Sequence, residues 1–463
     1  MVIIDLDDKS FYYDVMSLAG EFYPGEVIRE RSKDREESSS DIVIRVSSPK
    51  EVPPRLEKKN IIKRALYRDL SERTGKILPW GTLSGIRPVK LILSYLESGL
   101  SPEETKRVLS DEYYISPEKS EKGIAIALRE RELLKEADLK RGYSLYIGIP
   151  FCPSVCLYCS FSSYPVKRYL GVTKQYVDAL TKEIEEMGLY LKDHSLDTVY
   201  IGGGTPTSLS ENELDQILSA LSKSFPMQDV KEFTVEAGRP DSVTKEKLFV
   251  LKEYGVSRIS INPQTMNDET LKLIGRAHSA DTVKKAFSLA RDSGFSNINC
   301  DIIAGLPREG EEEYRYTSKE IKKLSPESLT VHSLARKRAS RLTEEWDVFA
   351  DNSFKGADKA LLIFEELSKE LSMQPYYLYR QKNIAGNLEN TGYAVEGRSS
   401  LYNVLIMEEK QPIIALGAGG VSKLLTGGKP DRLPNPKDPL LYIEGIEDII
   451  RKKKEGLVHT GWL

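Results

Sequence analysis

Cysteine, histidine and long apolar runs are all scarce in this chain. The 463 residues include four cysteines and four histidines. Four cysteines are far fewer than a disulfide scaffold would carry, so secreted frameworks of that kind are excluded. The sequence has no apolar stretch of membrane-spanning length, which argues against a transmembrane protein. A net charge of -3, from 67 Lys and Arg against 70 Asp and Glu, argues against a chain-wide basic surface for nucleic acid.

The first residues also lack a targeting pattern. Met1 to Asp5 contain an acid and no basic-then-apolar order, unlike a secretory signal. Few cysteines, most of them clustered, are typical of a reducing compartment. We therefore predict a cytoplasmic protein with no membrane span and no nucleic-acid partner.

The length of the chain predicts more than one domain, since single cores stop growing well below 463 residues. Residues 1–140 show an α+β pattern with no motif that can be tied to a reaction. Residues 141–335 form the most regular part of the sequence. For residues 336–463 we predict a small C-terminal α+β domain that caps the substrate site, with an extended segment at 402–407.

The central region alternates short apolar runs with amphipathic helices, which is the pattern of βα units around a parallel sheet. The predicted strands are 144–149, 198–201, 232–237, 258–262, 297–303 and 328–333. The predicted helices are 174–190, 211–222, 245–254, 280–293 and 311–323. Six strands are too few for a closed eight-stranded barrel, so the fold class is α/β with a partial (β/α)6 TIM-like barrel. Its active site is expected at the carboxyl ends of the strands.

Three of the four cysteines, Cys152, Cys156 and Cys159, fall within eight residues after the first predicted strand. A 4Fe-4S cluster usually takes four cysteines, so three would leave one iron open to a non-protein ligand. Structural zinc prefers four closed ligands, and three thiols cannot all pair as disulfides. The pattern therefore favours an open-iron cluster over zinc or disulfides. Cys300 lies alone in a predicted strand and reads as a small buried hydrophobe.

Other residues with useful chemistry also follow the predicted strands. The glycines 202–204 follow the second strand, and glycine lets a ligand approach the backbone closely. Glu236 ends the third strand, Gln264 follows the fourth and Asp301 lies late in the fifth. Because parallel strands end at one edge of a sheet, we expect these residues to lie together.

With these features the chain resembles the radical S-adenosylmethionine (SAM) superfamily, and most closely its oxygen-independent coproporphyrinogen III oxidases of the HemZ type. The resemblance rests on motifs that recur in order at 146–152, 202–207, 259–265, 275–278 and 301–307. It implies a 4Fe-4S cluster on the three cysteines and one or two SAM molecules. By the same resemblance Tyr146, Gly203 and Glu236 contact the cluster-bound SAM. A second set is implied to contact a second SAM or to serve the first: Tyr158, Gly204, Thr205, Gln264, Arg276 and Asp301.

The resemblance further implies oxidative decarboxylation of coproporphyrinogen III to protoporphyrinogen IX, in heme biosynthesis. The partners would be the tetrapyrrole and a flavodoxin- or ferredoxin-type electron donor. A substrate with four propionates needs cations, because carboxylates are bound well by arginine and lysine. The candidate cations are Arg336, Lys337, Arg338, Arg341, Arg380 and Lys382.

The sequence departs from the established oxidases at two positions beside the cysteines. Gly148 stands where those enzymes have histidine, and Ser160 and Phe161 stand where they have Gly-Cys. A second group of relatives, the HemW heme chaperones, carries a heme-linked His-Asn motif where this chain has Tyr402 and Asn403. A heme chaperone, or a radical SAM enzyme acting on another tetrapyrrole, is therefore the alternative function.

Overall fold

The computed structural model describes residues 1–24, 26–32, 38, 41–49, 54–85, 87–337, 339–349, 356–381, 388–425 and 430–459, and only the backbone of 346 and 347. The chain divides into two compact units. The first comprises Met1–Arg129, Ser333–Arg336 and Leu378–Asn390, and the second comprises Glu130–His332, Lys337–Tyr377 and Thr391–Leu463.

The first unit combines a small parallel sheet with helices. Its elements are β1 (Val2–Leu6), α1 (Tyr12–Phe22), β2 (Ile28–Glu30), β3 (Ile42–Val46), α2 (Arg55–Thr74), α3 (Pro88–Glu97), α4 (Pro102–Tyr113) and most of α5 (Pro117–Leu133). The sheet has the order β2-β1-β3, with β1 parallel to both neighbours. Its core packs Val2, Val15, Phe22, Ile44 and Leu70 with little or no exposure.

A buried polar cluster also lies within the first unit. Trp80 is fully buried, and its indole N–H donates to Glu389 Oε2 at 3.0 Å. Lys119 Nζ lies 2.7 Å from Glu389 Oε1, and Lys122 Nζ lies 3.5 Å from it. The lysines outweigh the effect of burial, and the pKa of Glu389 falls to about 2. The sequence Pro79-Trp80-Gly81 therefore forms a packed turn whose indole N–H is paired with a buried carboxylate.

The second unit contains most of the large sheet and its helices. In order these are β4 (Gly142–Ile149), β5 (Phe151–Cys152), β6 (Tyr164–Pro165), α6 (Thr173–Leu191), β7 (Ser195–Gly203), α7 (Glu211–Ser224), β8 (Glu232–Glu236), α8 (Lys245–Glu253), β9 (Arg258–Ser260), α9 (Asp268–Leu273), α10 (Ala280–Asp292), β10 (Ile298–Ala304), α11 (Glu311–Leu324), β11 (Ser328–Ser333), α12 (Arg341–Glu344), α13 (Trp346–Phe349), α14 (Ala357–Glu370), β12 (Gln374–Tyr379), β13 (Asn390–Ala394), α15 (Leu401–Glu408), β14 (Ile413–Leu416), β15 (Val421–Leu424), β16 (Asp431–Pro434), α16 (Pro439–Glu444) and α17 (Ile446–His459).

The strand order of the large sheet is β12-β13-β11-β10-β9-β8-β7-β4-β14-β15-β16. From β4 through β7, β8 and β9 to β10, each successive pair is parallel. All six predicted strands and all five predicted helices of this region are confirmed, with ends that shift by a few residues. β4 is buried along nearly its whole length, as its near-continuous apolar sequence requires.

The C-terminal third adds strands to both sides of this succession. β14 pairs in parallel with β4, and β13 runs antiparallel to β11. The prediction of an extended segment at 402–407 is wrong, because Leu401–Glu408 is a helix. The Ser400 side chain caps this helix by accepting from the Asn403 N–H. The cap and the helical turn place Tyr402 in the core, at 4% exposure.

A buried ion pair fixes the helices that flank β14. Glu183 on α6 accepts from the Gly417 N–H at 2.8 Å, the Tyr442 hydroxyl at 2.6 Å and Lys453 Nζ at 2.5 Å. Both oxygens of the carboxylate are thus engaged, as a buried charge requires. The network holds the loop after β14 against α6. None of the helices in the described ranges has both the length and the apolar character that a membrane crossing needs.

Candidate functional site

The three clustered cysteines lie on a loop that begins at β5, directly after β4. All are free thiols, with Cys156 buried and Cys152 and Cys159 partly buried. The loop is anchored by the Leu157 N–H, which donates to the Ile274 carbonyl at 2.9 Å, and by the Tyr164 N–H, which donates to Pro150 at 2.8 Å. The backbone of the loop is therefore fixed without any contribution from a bound metal.

Two of the three sulfurs lie close to a hydroxyl group. Cys152 Sγ lies 3.5 Å from Thr205 Oγ1, and Cys159 Sγ lies 3.6 Å from Ser163 Oγ. Burial raises the pKa of the Cys152 thiol to about 12, and burial also raises the pKa of Cys159. In the protein alone these two cysteines are thus thiols, and metal binding must release their protons.

Two buried arginines hold the loop from its other side. Arg276 Nη2 donates to the carbonyls of Gly238 at 2.9 Å and Asn262 at 2.5 Å, and Nη1 donates to the Tyr158 hydroxyl at 3.1 Å. Arg239 Nη1 donates to both the carbonyl and the hydroxyl of Ser154, each at 3.0 Å. These bonds tie the cysteine loop to the segments that follow β8 and β9.

The glycine loop begins at the end of β7, beside the cysteines. The Gly204 N–H donates to Ile149 and the Thr205 N–H to Phe151, both at 2.7 Å. Gly203 has φ +111°, and a Cβ there would meet the Ile149 carbonyl at 3.0 Å and the Tyr146 hydroxyl at 3.4 Å. Only glycine fits this conformation and spacing without strain.

Glu236 ends β8 and faces this glycine loop. The Tyr200 hydroxyl donates to Glu236 Oε1 at 2.5 Å, and Gly203 supplies a backbone hydrogen bond. Burial raises the pKa of Glu236 to about 7, against the effect of both bonds. The carboxyl group thus changes charge near neutral pH, and a cationic ligand would favour its ionised form.

Three tyrosine rings stack beside Glu236. The rings of Tyr200 and Tyr402 lie 4.5 Å apart at an interplanar angle of 21°, and Tyr146 lies 6.3 Å from Tyr200 at 15°. The stack joins β4, β7 and α15 next to the glycine loop. Sequence reasoning did not find Tyr200, although its place two residues before Gly202 on a strand predicts the same face as Gly202.

Gln264 and Asp301 occupy adjacent strand ends. The Gln264 N–H donates to the Asp301 carbonyl at 2.9 Å, and Gln264 has φ +70°. Asp301 accepts from Asn299 Nδ2 at 2.7 Å and lies 3.7 Å from His332 Nε2. Although burial acts to raise it, the pKa of Asp301 is lowered, because His332 and other donors face the carboxylate. Asp301 is therefore ionised at neutral pH.

The residues present fit an iron-sulfur cluster with SAM. In the described part of the chain, no three His, Cys, Asp or Glu side chains converge to hold one metal ion. A cubane cluster needs no such convergence, because each cysteine ligates a different iron. The Gln264 side-chain oxygen is buried and has no hydrogen-bond partner among the described residues. An unpaired buried acceptor of this kind is suited to an amine or hydroxyl donor of a ligand.

The glycine that replaces a histidine in the established oxidases is tightly packed. A Cβ at Gly148 would lie 2.8 Å from the Ala418 carbonyl oxygen. The Ala418 N–H donates to the Tyr176 hydroxyl, which in turn donates to the Gly148 carbonyl. The loop after β14 thus takes up the space beside Gly148, and a histidine could enter only if that loop moved.

The structure brings most of the predicted site residues into one continuous set of contacts. It runs from Cys152 through Thr205 and Gly203 to Glu236, and from Cys156 through Tyr158 to Arg276. Sequence reasoning missed Arg239, because a single arginine after a strand carries no motif.

The predicted propionate-binding cations are dispersed. Lys337 lies beside the cysteine loop, with Nζ 5.5 Å from the centroid of the Phe161 ring. Arg341 pairs with Glu345 at the surface. Arg380 belongs to the first unit, where it donates to the Leu83 carbonyl. Arg338 and Lys382 lie outside the described residues.

Comparison with known proteins agrees with this geometry. The radical SAM superfamily model matches residues 146–321. The oxygen-independent coproporphyrinogen-III oxidase-like protein HemZ of Bacillus subtilis is 43% identical over 406 residues, covering 85% of this chain and 80% of HemZ. The heme chaperone HemW of the same organism is 38% identical over 192 residues, covering 41% of this chain and 50% of HemW.

The solved structure of the Escherichia coli coproporphyrinogen III oxidase HemN, described as a radical SAM enzyme, has the same fold. It aligns with a TM-score of 0.55 at 20% identity and covers 69% of this chain and 72% of that chain. Superfamily membership implies a 4Fe-4S cluster and SAM. The chain therefore belongs to the radical SAM superfamily and, within it, to the family of the coproporphyrinogen-III oxidase-like protein HemZ.

Proposed function

We propose that this protein is a cytoplasmic oxidoreductase that decarboxylates coproporphyrinogen III to protoporphyrinogen IX without oxygen. The observation that carries the proposal is the contact path from Cys152 through Thr205 and Gly203 to Glu236, which joins the candidate cluster ligands to a candidate SAM site. The similarity to proteins named for coproporphyrinogen III oxidation supports the substrate.

In this proposal Cys152, Cys156 and Cys159 ligate three irons and leave the fourth open to SAM. When bound, the cluster and SAM would supply the 5'-deoxyadenosyl radical, which takes one hydrogen atom from a propionate side chain. The side-chain radical would then lose carbon dioxide and pass one electron to an oxidised electron carrier, which leaves a vinyl group. The protein's task is then to hold its ligands in place and to exclude competing reactions. An electron donor of the flavodoxin or ferredoxin type reduces the cluster.

The residues around the glycine loop have distinct roles in holding SAM. The backbone of Gly203 approaches the ligand, because no side chain intervenes, and Tyr146 lies at its edge. The Glu236 carboxylate accepts from the amine or the ribose hydroxyls, since an ionised carboxyl group is an acceptor only.

A second group of residues is proposed to contact a second SAM, or to complete the site of the first. Gln264 contributes its unpaired side-chain oxygen and Asp301 contributes a carboxylate. Arg276 keeps one nitrogen, Nε, without a partner in the described structure. The remaining members of this group are Tyr158, Gly204 and Thr205.

Product analysis tests the proposed reaction. Anaerobically reconstituted protein, given SAM, a reductant and coproporphyrinogen III, should form protoporphyrinogen IX together with 5'-deoxyadenosine. The Cys156→Ala variant is the matched control and should form neither. Formation of 5'-deoxyadenosine without any vinyl product would rule out the decarboxylation and leave a radical reaction on another tetrapyrrole.

The similarity to HemW supports a heme chaperone as the second candidate. A tyrosine binds heme iron through its oxygen, which must be reachable. Tyr402 is 4% exposed, stacked on Tyr200, and burial raises its pKa well above the ordinary value.

We therefore expect Tyr402→Phe and the unaltered protein to give superimposable spectra in a heme titration. A stoichiometric heme complex that is lost in Tyr402→Phe would instead favour the chaperone function, with α15 displaced.

A further inference from the structure

Three cations from separate segments border the loop that carries the cysteines of the candidate cluster site. Arg239 follows β8, Arg276 follows α9 and Lys337 follows β11. Arg276 Nη1 lies 3.9 Å from Cys156 Sγ as well as 3.1 Å from the Tyr158 hydroxyl. Its guanidinium group is buried and bonded to two carbonyls on its other nitrogen, so its position is fixed.

Arg239 faces the first half of the cysteine loop. It donates to Ser154, the residue midway between Cys152 and Cys156, through both the carbonyl and the hydroxyl. Arg239 is 2% exposed, and its Nε and Nη2 each donate a hydrogen bond of 3.0 Å to the Asp241 carboxylate.

Lys337 faces the second half of the loop. Its ammonium group lies over the Phe161 ring, two residues beyond Cys159. The Leu342 N–H donates to the Leu157 carbonyl at 2.9 Å, which holds this segment along the loop. Lys337 therefore borders the part of the loop that carries Cys159.

We propose that Arg239, Arg276 and Lys337 form a cation set around the cysteine loop that raises the reduction potential of the cluster. This inference rests on the proposed cluster but not on the proposed substrate. A cluster gains one negative charge on reduction, and nearby buried cations stabilise that charge more than they would in water. Net charge and hydrogen bonds at the sulfurs are established influences on cluster potential. Arg239 and Lys337 are not proposed to contact SAM. Arg276 is also a proposed SAM contact, so the effect of its charge on the cluster is measured without SAM.

Redox titration of the reconstituted cluster tests the set. Arg239→Gln, Arg276→Gln and Lys337→Gln each remove one charge, and Lys285→Gln removes an exposed charge on α10 as the matched control. The iron content is measured first, and the midpoint potential is then measured without SAM or substrate. At a fixed applied potential the reduced-to-oxidised ratio should fall about tenfold for every ~59 mV that the midpoint drops. We expect a lower midpoint potential in each of the three variants and an unchanged midpoint potential in Lys285→Gln.

Two further variants keep the test decisive if a buried arginine proves necessary for folding. Arg276→Lys retains the charge and should restore most of the potential lost in Arg276→Gln. Lys337 is only partly buried, so Lys337→Gln should fold and still show the shift.

A midpoint equal to that of Lys285→Gln in variants that keep their iron would overturn the proposal. Variants that lose iron while their residual cluster titrates normally would also overturn it, because the residues would then have a structural role only. An unaltered protein that binds no iron contradicts the proposed function itself, and the iron analysis distinguishes that outcome.

Discussion

Replacing Cys156 with alanine should abolish the cluster while leaving the fold intact. Of the three cysteines it is the most buried, and it faces Arg276. Losing one of three ligands should lower iron affinity by at least the ~10- to 100-fold that loss of an outer hydrogen-bond partner costs. The loop itself is held by backbone bonds from Leu157 and by Arg239, and neither requires the sulfur.

Iron content, the brown absorbance of the reconstituted protein and far-UV circular dichroism measure this outcome together. Cys300→Ala is the control, since Cys300 is fully buried in β10 and is not proposed as a ligand. It should keep a full complement of iron at a modest cost in stability from the small cavity left behind. Full iron in Cys156→Ala, or loss of iron in Cys300→Ala, would mean that the ligands are wrongly assigned.

Replacing Glu236 with glutamine should weaken SAM binding by about 10- to 100-fold. This range corresponds to the ~1.5–3 kcal/mol of a hydrogen bond to a charged group. The substitution preserves the shape of the side chain but removes its charge and one acceptor. Anaerobic binding measurements on the reconstituted protein would detect it, with Glu246→Gln as a control on an exposed helix start.

The same carboxyl group predicts a pH dependence of SAM binding. The pKa of Glu236 is raised by burial to about 7, so the acid form dominates below that pH and the carboxylate above it. If the carboxylate binds SAM, affinity rises as pH increases through about 7. In Tyr200→Phe the hydrogen bond that lowers the pKa of Glu236 is lost, so the midpoint of the rise should move to higher pH. In Glu236→Gln this rise should be absent, and a rise that persisted there would assign it to another group.

Sequence periodicity was sufficient to predict the central part of the fold. Short apolar runs alternate with amphipathic segments in this region. This local pattern predicts the helices and the strands that they connect, β4, β7, β8, β9, β10 and β11. The extended segment predicted at 402–407 was wrong because its apolar, partly β-branched sequence resembles a buried strand. The helix is capped by a hydrogen bond that the Asn403 N–H donates to the Ser400 hydroxyl oxygen, and a serine before an apolar run is a weak signal by itself.

The cysteine ligands and the strand-end positions of Glu236, Gln264 and Asp301 could be predicted, because each follows a strand or belongs to a tight spacing pattern. The contacts between distant segments could not. Arg239 meets Ser154 across 85 residues and Arg276 meets Cys156 across 120, and no local pattern records such a pairing. The packing of Ala418 against Gly148 is similarly distant, and it leaves no room for a histidine at that position unless the loop after β14 moves.

Reductive cleavage of SAM tests the central claim most directly. Reconstituted protein under anaerobic conditions, with SAM and a chemical reductant and no tetrapyrrole, should form 5'-deoxyadenosine, and Cys156→Ala should form none above background. The account is contradicted if the unaltered protein carries a full cluster, binds SAM and still yields no 5'-deoxyadenosine.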